Sequence, residues 1–170
     1  MLVTSTKMPS ETHILSRIIS GGQTGVDRAA LDVALLLHID HGGYCPMGRL
    51  AEDGRIPNDY RLIETRSPDY EVRTERNILA SDGTLVLSLG EPVGGTALTV
   101  ELSLRHNRPL LHIDLQTNST LTAIQTILSW IVKHQIETLN VAGPRESEYP
   151  IYDEAHVFLT RLFTELRRSE

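Results

Sequence analysis

Two glycine-rich segments stand where an apolar run gives way to a helical pattern, and both could bind an anion. The first, Gly21 to Gly25 (GGQTG), follows the run RIIS, and the second, Gly94-Gly95-Thr96, comes shortly after the run TLVLSL. Glycine lets backbone N–H groups approach a ligand without a Cβ in the way, and a helix N-terminus adds free donors and a positive dipole end. The segments therefore indicate a site for one small anion, best a phosphate. The alternative is that they only make tight strand-to-helix turns.

Neither segment is a common nucleotide-binding motif. GGQTG lacks the Gly-Lys-Ser/Thr ending of a P-loop, and Gly-x-Gly-x-x-Gly cannot be aligned on it. A third turn, AGPRES, follows the apolar run TLNVA and contains Arg145. This arginine could face the same cleft as the glycine segments or could pair locally, and the sequence leaves both interpretations open.

A long polar loop between Cys45 and Tyr60, CPMGRLAEDGRIPNDY, has no periodicity and contains charges of both signs. Loops of this length are usually functional or disordered. The alternative to a binding role is a surface excursion whose charges are solvated. Candidate contacts to a polar heterocycle are Arg49, Glu52 and Asp53 in the loop, with Arg73 and Asn77, which share a face of the following helix.

Short apolar strands alternate with helical patterns along the chain. Strands are predicted at 17–20, 61–65, 84–89, 109–115 and 138–142, and helices at 26–38, 70–80, 97–107, around 121–131 and around 155–166. This alternation predicts a three-layer, Rossmann-like, doubly wound α/β fold, in which helices cover both faces of a mostly parallel sheet. Ligands of such folds bind beyond the carboxyl ends of the strands, so the turns after RIIS, TLVLSL and TLNVA should form the site.

The composition is that of an ordinary globular protein with 170 residues, a net charge of -6 and one cysteine. It favours a loosely held tail at 1–16 followed by one domain at 17–170. The start resembles no signal peptide, no apolar run approaches the ~20 residues of a membrane span, and no intramolecular disulfide can form, so we expect a cytoplasmic protein. The acidic balance argues against nucleic acid and anionic membranes as partners.

Three residues could contribute to a metal site. His38, His41 and Cys45 have donor types that suit zinc, but a fourth protein ligand is not evident, and a lone cysteine is more often a small buried apolar residue. We therefore predict no metal site.

Four stretches together resemble the molybdenum carrier family: GGQTGVDRAALD, GGYCPMGRLAEDGRIP, YEVRTERNILASDGTLVL and GGTALT. The resemblance covers roughly residues 18–115 and is weaker beyond them. The family is similar to the molybdenum cofactor carrier proteins and has a Rossmann-like fold related to the lysine-decarboxylase-like phosphoribohydrolases. It implies binding of molybdenum cofactor (molybdopterin) or molybdate beside the glycine segments. A homo-oligomer, dimer or tetramer, and a molybdoenzyme acceptor are also implied.

The resemblance assigns contacts to individual residues. Gly21, Gly22, Thr24 and Gly25 would hold the phosphate or oxyanion, Gly94, Gly95, Thr96 and Thr99 would complete the pocket, and Arg49, Glu52, Asp53 and Arg73 would contact pterin or phosphate. Gln23, Asp27 and Asn77 complete the predicted binding set. A carboxylate introduced by Gly22→Asp should abolish anion binding with little loss of fold. The apolar first helix, 29–37, and Trp130 indicate an interface between copies.

One position distinguishes binding from catalysis. The related phosphoribohydrolases carry Pro-Gly-Gly-x-Gly-Thr-x-x-Glu with a catalytic Glu, and here Thr99 stands in its place. A hydroxyl cannot act as a general base near neutral pH or stabilise a ribosyl cation as a carboxylate would. The sequence therefore favours a carrier without catalytic residues. The alternatives are a nucleotide or nucleoside-5'-monophosphate phosphoribohydrolase-like enzyme and a nucleotide-sensing module.

Overall fold

The structure, a computed structural model, describes residues 15–168. The predicted tail therefore lies outside the described residues except for its last two. Of those two, Ser16 donates its backbone N–H to the carbonyl of Glu137 at 2.9 Å.

Nine strands and five helices make up the described part of the chain. In order they are β1 (Arg17–Ile19), α1 (Val26–Leu36), β2 (Asp40–Gly42), β3 (Tyr44–Cys45), β4 (Leu50–Ala51), β5 (Gly54–Arg55), β6 (Ile63–Glu64), α2 (Tyr70–Leu79), β7 (Gly83–Ser88), α3 (Gly94–Arg105), β8 (Leu110–Asp114), α4 (Thr120–His134), β9 (Thr138–Ala142) and α5 (Tyr152–Arg168).

Five of the strands form one parallel sheet in the order β2-β1-β9-β7-β8. The last strand in sequence, β9, thus lies between β1 and β7, with Leu139 opposite Ile18 on one side and Val141 opposite Leu85 on the other. The predicted Rossmann-like parallel α/β fold is confirmed. This strand order puts the three loops that follow β1, β9 and β7 next to one another.

The burial of β7 shows why the fold has three layers. All six residues of this strand are buried, as expected of a strand covered on both faces. Leu85 and Leu87 join the main apolar core with residues of α1, α4 and α5, whereas Val86 points to the opposite face. On the two faces α1 packs against α5 and α2 packs against α3.

The first helix is buried by its own chain. Ala29, Ala30 and Val33 are fully buried in the main core, and Trp130 of α4 belongs to the same cluster. The core of this chain therefore accounts for the apolar character of these residues, and the interface between copies expected from them stays a prediction. Leu35 and Leu36, at the end of α1, are 38% and 57% exposed.

Three local predictions differ from the structure. The predicted strand at 61–65 is reduced to β6, which pairs with β3 in a separate two-stranded ladder. The edge strand β2 was not predicted, because its residues Asp-His-Gly carry no apolar signal. The long polar loop contains an antiparallel hairpin of β4 and β5.

A substitution at Gly25 tests how the first glycine segment is fixed. Gly25 has φ +76° and ψ -130°, and a Cβ there would lie 2.3 Å from the carbonyl oxygen of Pro144. This backbone region is essentially restricted to glycine, so Gly25→Ala should lower the free energy of unfolding by at least about 2 kcal/mol in urea titrations. The matched control is Gly95→Ala, since a Cβ at Gly95 meets nothing within 4 Å. If Gly25→Ala and Gly95→Ala had the same free energy of unfolding, the backbone at Gly25 would not require glycine.

Candidate functional site

A cleft lies where the loops after β1 and β9 meet α1, α2 and the start of α3. Its volume is about 30 Å³, room for roughly two water-sized groups, and one side is open. Its lining comes from the loop after β1, from α1, α2 and α3, and from β9 and the loop after it: Gly21, Gln23, Asp27, Arg73, Thr74, Asn77, Gly95, Thr96, Thr99, Asn140, Ala142, Gly143, Arg145 and Glu148. Eight of the predicted site residues are thus together in one cleft.

A buried ion pair forms one wall of the cleft. The Arg73 guanidinium donates through Nη1 to the Asp27 carboxylate at 2.8 Å, and the two side chains are 14% and 5% exposed. Arg73 comes from α2 and Asp27 from the first turn of α1. The guanidinium lies over Gly21, where a Cβ would be 1.4 Å from Nη1. Glycine at this position therefore makes room for the ion pair.

Three polar atoms of the cleft are buried without a hydrogen-bond partner: Gln23 Nε2, Arg73 Nε and Thr96 Oγ1. Gln23 and Thr96 are only 5% and 2% exposed. The side-chain oxygen of Gln23 accepts the N–H groups of Thr24 and Glu52 at 3.0 and 2.9 Å, which fixes the amide with its nitrogen unpartnered. Buried polar groups are normally paired, so these atoms are free to bind acceptor oxygens.

The two glycine segments differ in what their N–H groups can still bind. In the first segment, Thr24 donates its N–H to Gln23, and the N–H of Gln23 lies 3.4 Å from the Asp27 carboxylate. In the second, Gly94 and Gly95 open α3, and the N–H of Thr96 already donates to the carbonyl of Val93 at 3.0 Å. Neither α1 nor α3 has a side-chain cap at its N-terminus. Since the first N–H groups of a helix lack an intrahelical acceptor, the N–H groups of Gly94 and Gly95 can still bind an anion.

The loop after β9 brings two more charges to the cleft. Arg145 Nε lies 3.4 Å from Glu148 Oε1, and the guanidinium of Arg145 lies 5.5 Å from the centre of the Tyr70 ring. Both alternatives for Arg145 thus hold, since it lines the cleft and also pairs locally. With Arg73 and Asp27, the cleft contains two arginines and two carboxylates.

Arg49 does not line the cleft. Its side chain is buried inside the long polar loop and donates to four backbone carbonyls, those of Ile56, Pro57, Tyr60 and Leu62. These bonds fix the shape of the loop and leave the guanidinium engaged with the backbone.

Glu52 and Asp53 also lie outside the cleft and connect its loops. The Glu52 carboxylate accepts hydrogen bonds from the hydroxyls of Thr24 and Ser147 and from the N–H of Ser147. Asp53 pairs with Arg28 at 3.1 Å, and Arg28 donates to the carbonyl of Gly22. These carboxylates hold the long loop against the first glycine segment and the loop after β9.

Other predicted residues have internal partners or lie beside the cleft. The side chain of Asn77 pairs with the backbone of Tyr44, and the Thr99 hydroxyl donates to the carbonyl of Gly95. Gly22, Thr24, Gly25 and Gly94 are not among the lining residues. The expectation that Gly22→Asp would spare the fold is wrong, because Gly22 has φ +77° and a Cβ there would lie 2.6 Å from Leu62 Cδ1.

Several lining residues were missed by sequence reasoning. Thr74, Asn140, Ala142, Gly143 and Glu148 line the cleft without having been predicted. Asn140 is a buried polar residue in an otherwise apolar central strand, and that is a usable signal. Gly143 lies in the AGPRES turn and Glu148 directly follows it, and in this turn the sequence predicts a cleft residue only at Arg145.

The zinc interpretation finds no support in the part of the chain that the structure describes. Within it no three His, Cys, Asp or Glu side chains are grouped to hold a metal ion. His41 accepts the N–H of Arg61 at 3.3 Å, and Cys45 is buried with Leu31, Ile56 and Tyr60.

Comparison with known proteins identifies the family. Residues 18–163 match the model of the family described as "Circularly permutated YpsA SLOG family". The chain belongs to this family. It is also similar to a crystal structure at 1.45 Å described as a "Putative molybdenum carrier protein" from Syntrophus aciditrophicus SB, with 51% identity over 88% of this chain and 94% of that one and a TM-score of 0.85.

The resemblance to the molybdenum carrier family is thereby confirmed. No curated protein matches the chain. Among residues 15–168 no helix has both the length and the apolar character needed to cross a membrane.

The pH dependence of stability tests the role of Glu52. Burial raises the pKa of this carboxyl, but the hydrogen bonds from Ser147 and Thr24 outweigh burial and bring the pKa below its ordinary value of 4.5. Such a group stabilises the fold above its unfolded pKa, and this contribution disappears as the pH falls through the folded pKa. Glu52→Gln should therefore be less stable than the wild type at neutral pH, and the gap should narrow below pH 4.5.

Urea unfolding at a series of pH values measures this gap. The control is Glu91→Gln, at an exposed loop position, which should leave the free energy of unfolding unchanged at neutral pH. A gap for Glu52→Gln that stays constant with pH would show that the carboxylate charge does not hold the loops together.

Proposed function

We propose that this protein binds an oxyanion in the cleft, either molybdate or the phosphate of molybdenum cofactor, and carries it to an acceptor such as a molybdoenzyme. The observation that carries the proposal is the set of unpartnered atoms on Gln23, Arg73 and Thr96 in one cleft. The similar Syntrophus protein is described as a molybdenum carrier, and this description supports a ligand that contains molybdenum.

Arg73 can bind an oxyanion without giving up Asp27. Nη1 of the guanidinium serves the carboxylate at 2.8 Å, while Nε has no partner. Asp27 thereby holds the guanidinium in one orientation and leaves a charged donor for the ligand, since arginine presents several donors in a fixed fork. The Thr96 hydroxyl and the Gln23 amide add neutral donors, and the N-terminus of α3 adds a favourable dipole.

The size of the cleft limits which part of a ligand it would enclose. A volume of about 30 Å³ suits an oxygen-bearing group and not a whole pterin. The ring of a larger ligand would extend through the open side, past Arg145 and Glu148. Both side chains are roughly a third exposed there and could adjust to it.

Hydrolysis of a nucleoside monophosphate is the second candidate function. Thr99 lacks the carboxylate that the phosphoribohydrolases have at its position, but Asp27 and Glu148 bring carboxylates to the same cleft. Either one could in principle assist a glycosidic cleavage. Asp27 is the less available of the two, because Arg73 already neutralises it at 2.8 Å.

The protein as purified gives the direct test of the proposed function. Metal analysis and pterin fluorescence after acid–iodine oxidation should detect bound molybdenum or molybdopterin. Calorimetric titration with molybdate, phosphate and AMP should then show molybdate or phosphate binding. If neither oxyanion binds and AMP is cleaved to adenine and ribose phosphate, the proposed carrier function is wrong and the protein is a nucleoside monophosphate hydrolase.

Thr96→Val separates a ligand contact from a structural role. Valine replaces a buried hydroxyl that has no partner, so stability should stay the same or rise, by up to roughly 1 kcal/mol. Loss of one hydrogen bond to a charged ligand should weaken oxyanion binding about tenfold. Thr99→Val is the matched control in the same cleft, because its hydroxyl is occupied by Gly95, and it should change affinity less. Unchanged affinity in Thr96→Val would contradict the contact.

Gly95→Asp replaces Gly22→Asp as the test of the glycine segments. Gly95 lines the cleft, its φ is outside the left-handed region, and a Cβ there meets nothing within 4 Å. A carboxylate at this position should abolish oxyanion binding by repulsion while urea unfolding stays near the wild type. Binding that survives this substitution would exclude the N-terminus of α3 from the site.

A further inference from the structure

The carboxylate of Glu148 lies at the cleft beside the first residue of α3. A Cβ at Gly94 would lie 3.2 Å from Glu148 Oε1, and Gly94 has φ +51°, so glycine at this position leaves room for the carboxylate. Glu148 comes from the loop after β9, where its N–H donates to the carbonyl of Arg145 at 3.1 Å. This turn brings a side chain of one loop to the N-terminus of a helix from another part of the chain.

The place that Glu148 occupies is one that favours an anion. The first turn of α3 has no acidic residue and no side-chain cap of its own, and negative charge near a helix N-terminus is stabilising. Arg145 adds a positive charge, with its Nε 3.4 Å from Glu148 Oε1. Within residues 15–168 Arg145 is the only ion-pair partner of Glu148. The carboxylate is therefore an internal anion at the same end of α3 where Gly95 and Thr96 line the cleft.

The two carboxylates of the cleft differ in how firmly they are held. Asp27 is 5% exposed and accepts Nη1 of Arg73 at 2.8 Å, the distance of a charge-assisted hydrogen bond. Glu148 is 28% exposed, and its 3.4 Å contact with Arg145 is longer than a bond of that kind. Partly exposed ion pairs contribute little to stability. Glu148 can therefore leave its place at small cost, whereas Asp27 cannot.

We propose, on the basis of the oxyanion binding proposed above, that Glu148 is a displaceable internal anion that regulates the site. In the empty cleft it neutralises Arg145 and the N-terminus of α3. An entering oxyanion takes over both, and the Glu148 side chain turns toward solvent through the open side. When the ligand leaves, the carboxylate returns to the same place. Competition of this kind lowers the affinity and so lets a carrier release its ligand.

The competition also selects the class of ligand. An internal carboxylate competes at a high effective concentration, because it is tethered beside the site. A free monocarboxylate offers Arg145 and α3 nothing that Glu148 does not already supply. A dianion such as molybdate or phosphate has twice the charge and more acceptor oxygens, which would reach the unpartnered donors of Arg73 and Thr96. Glu148 thereby excludes monocarboxylates and admits tetrahedral dianions.

Calorimetric titration of the full chain with molybdate and with phosphate tests this competition. Glu148→Gln keeps the shape of the side chain and removes its charge, so it should bind both oxyanions about tenfold more tightly than the wild type. Glu91→Gln is the matched control, because it removes the same charge at an exposed position of the loop before α3 and should leave both affinities unchanged. Far-UV circular dichroism should be the same for all three proteins.

Failure of this proposal is distinguishable from failure of the proposed function. If the wild type binds the oxyanions and Glu148→Gln binds them equally or more weakly, Glu148 does not compete, and oxyanion binding itself stands. If neither the wild type nor Glu148→Gln binds molybdate or phosphate, both proposals are wrong. An equal gain in affinity for Glu91→Gln would show that net charge, and not the place of Glu148, sets the affinity.

Glu148→Ala tests whether the place itself accepts a carboxylate. Truncation leaves the position beside Gly94 open, so acetate should occupy it and compete with phosphate. Added acetate should therefore raise the apparent Kd for phosphate several-fold in Glu148→Ala and leave it nearly constant in the wild type. Sodium chloride at the same ionic strength is the control and should have little effect on either protein. Equal effects of acetate on the two proteins would overturn the proposal.

Discussion

The buried ion pair of Arg73 and Asp27 is the interaction on which the cleft depends. It joins α2 to the first turn of α1 over the glycine segment that follows β1, and Gly21 must lack a side chain for it to form. Removing one partner of a buried pair commonly costs about 3–5 kcal/mol, because the other charge remains buried alone. The pair also orients Arg73 so that one of its donors is free. Structure and candidate function thus depend on the same contact.

A second set of contacts, farther from the cleft, holds its loops together. Glu52 accepts hydrogen bonds from Thr24 and Ser147, and Asp32 accepts the hydroxyls of Tyr60 and Tyr152 at 2.6 and 2.7 Å. Each carboxylate connects segments far apart in the chain. Burial and the adjacent Asp32 raise the pKa of the Tyr152 hydroxyl to about 12, so this hydroxyl remains a donor at neutral pH. The long polar loop therefore acts as a support for the cleft and not as part of its lining.

The sequence was informative where the signal is local. The ends of the central strand at 138–142 were predicted correctly, because an apolar run lies there between a helix and a glycine. The glycine segments indicated the cleft because they follow strands. The positions of Arg49 and Glu52 could not be predicted. Their partners are backbone carbonyls within the folded loop and a serine 95 residues away. Residue types show that such side chains can bind a ligand, but only the fold shows whether other atoms already occupy them.

The charge of the cleft limits how the proposed oxyanion would be held. The chain has a net charge of -6, and inside the cleft two arginines are balanced by two carboxylates, so net attraction supplies little. Under the proposed function, binding would come from donors in fixed positions: Arg73 Nε, Gln23 Nε2 and the Thr96 hydroxyl. Fixed donors discriminate by the placement of acceptor oxygens, whereas a positive patch attracts any anion. Under the proposed function, a tetrahedral oxyanion whose oxygens reach all three donors would therefore be favoured over anions that reach only one.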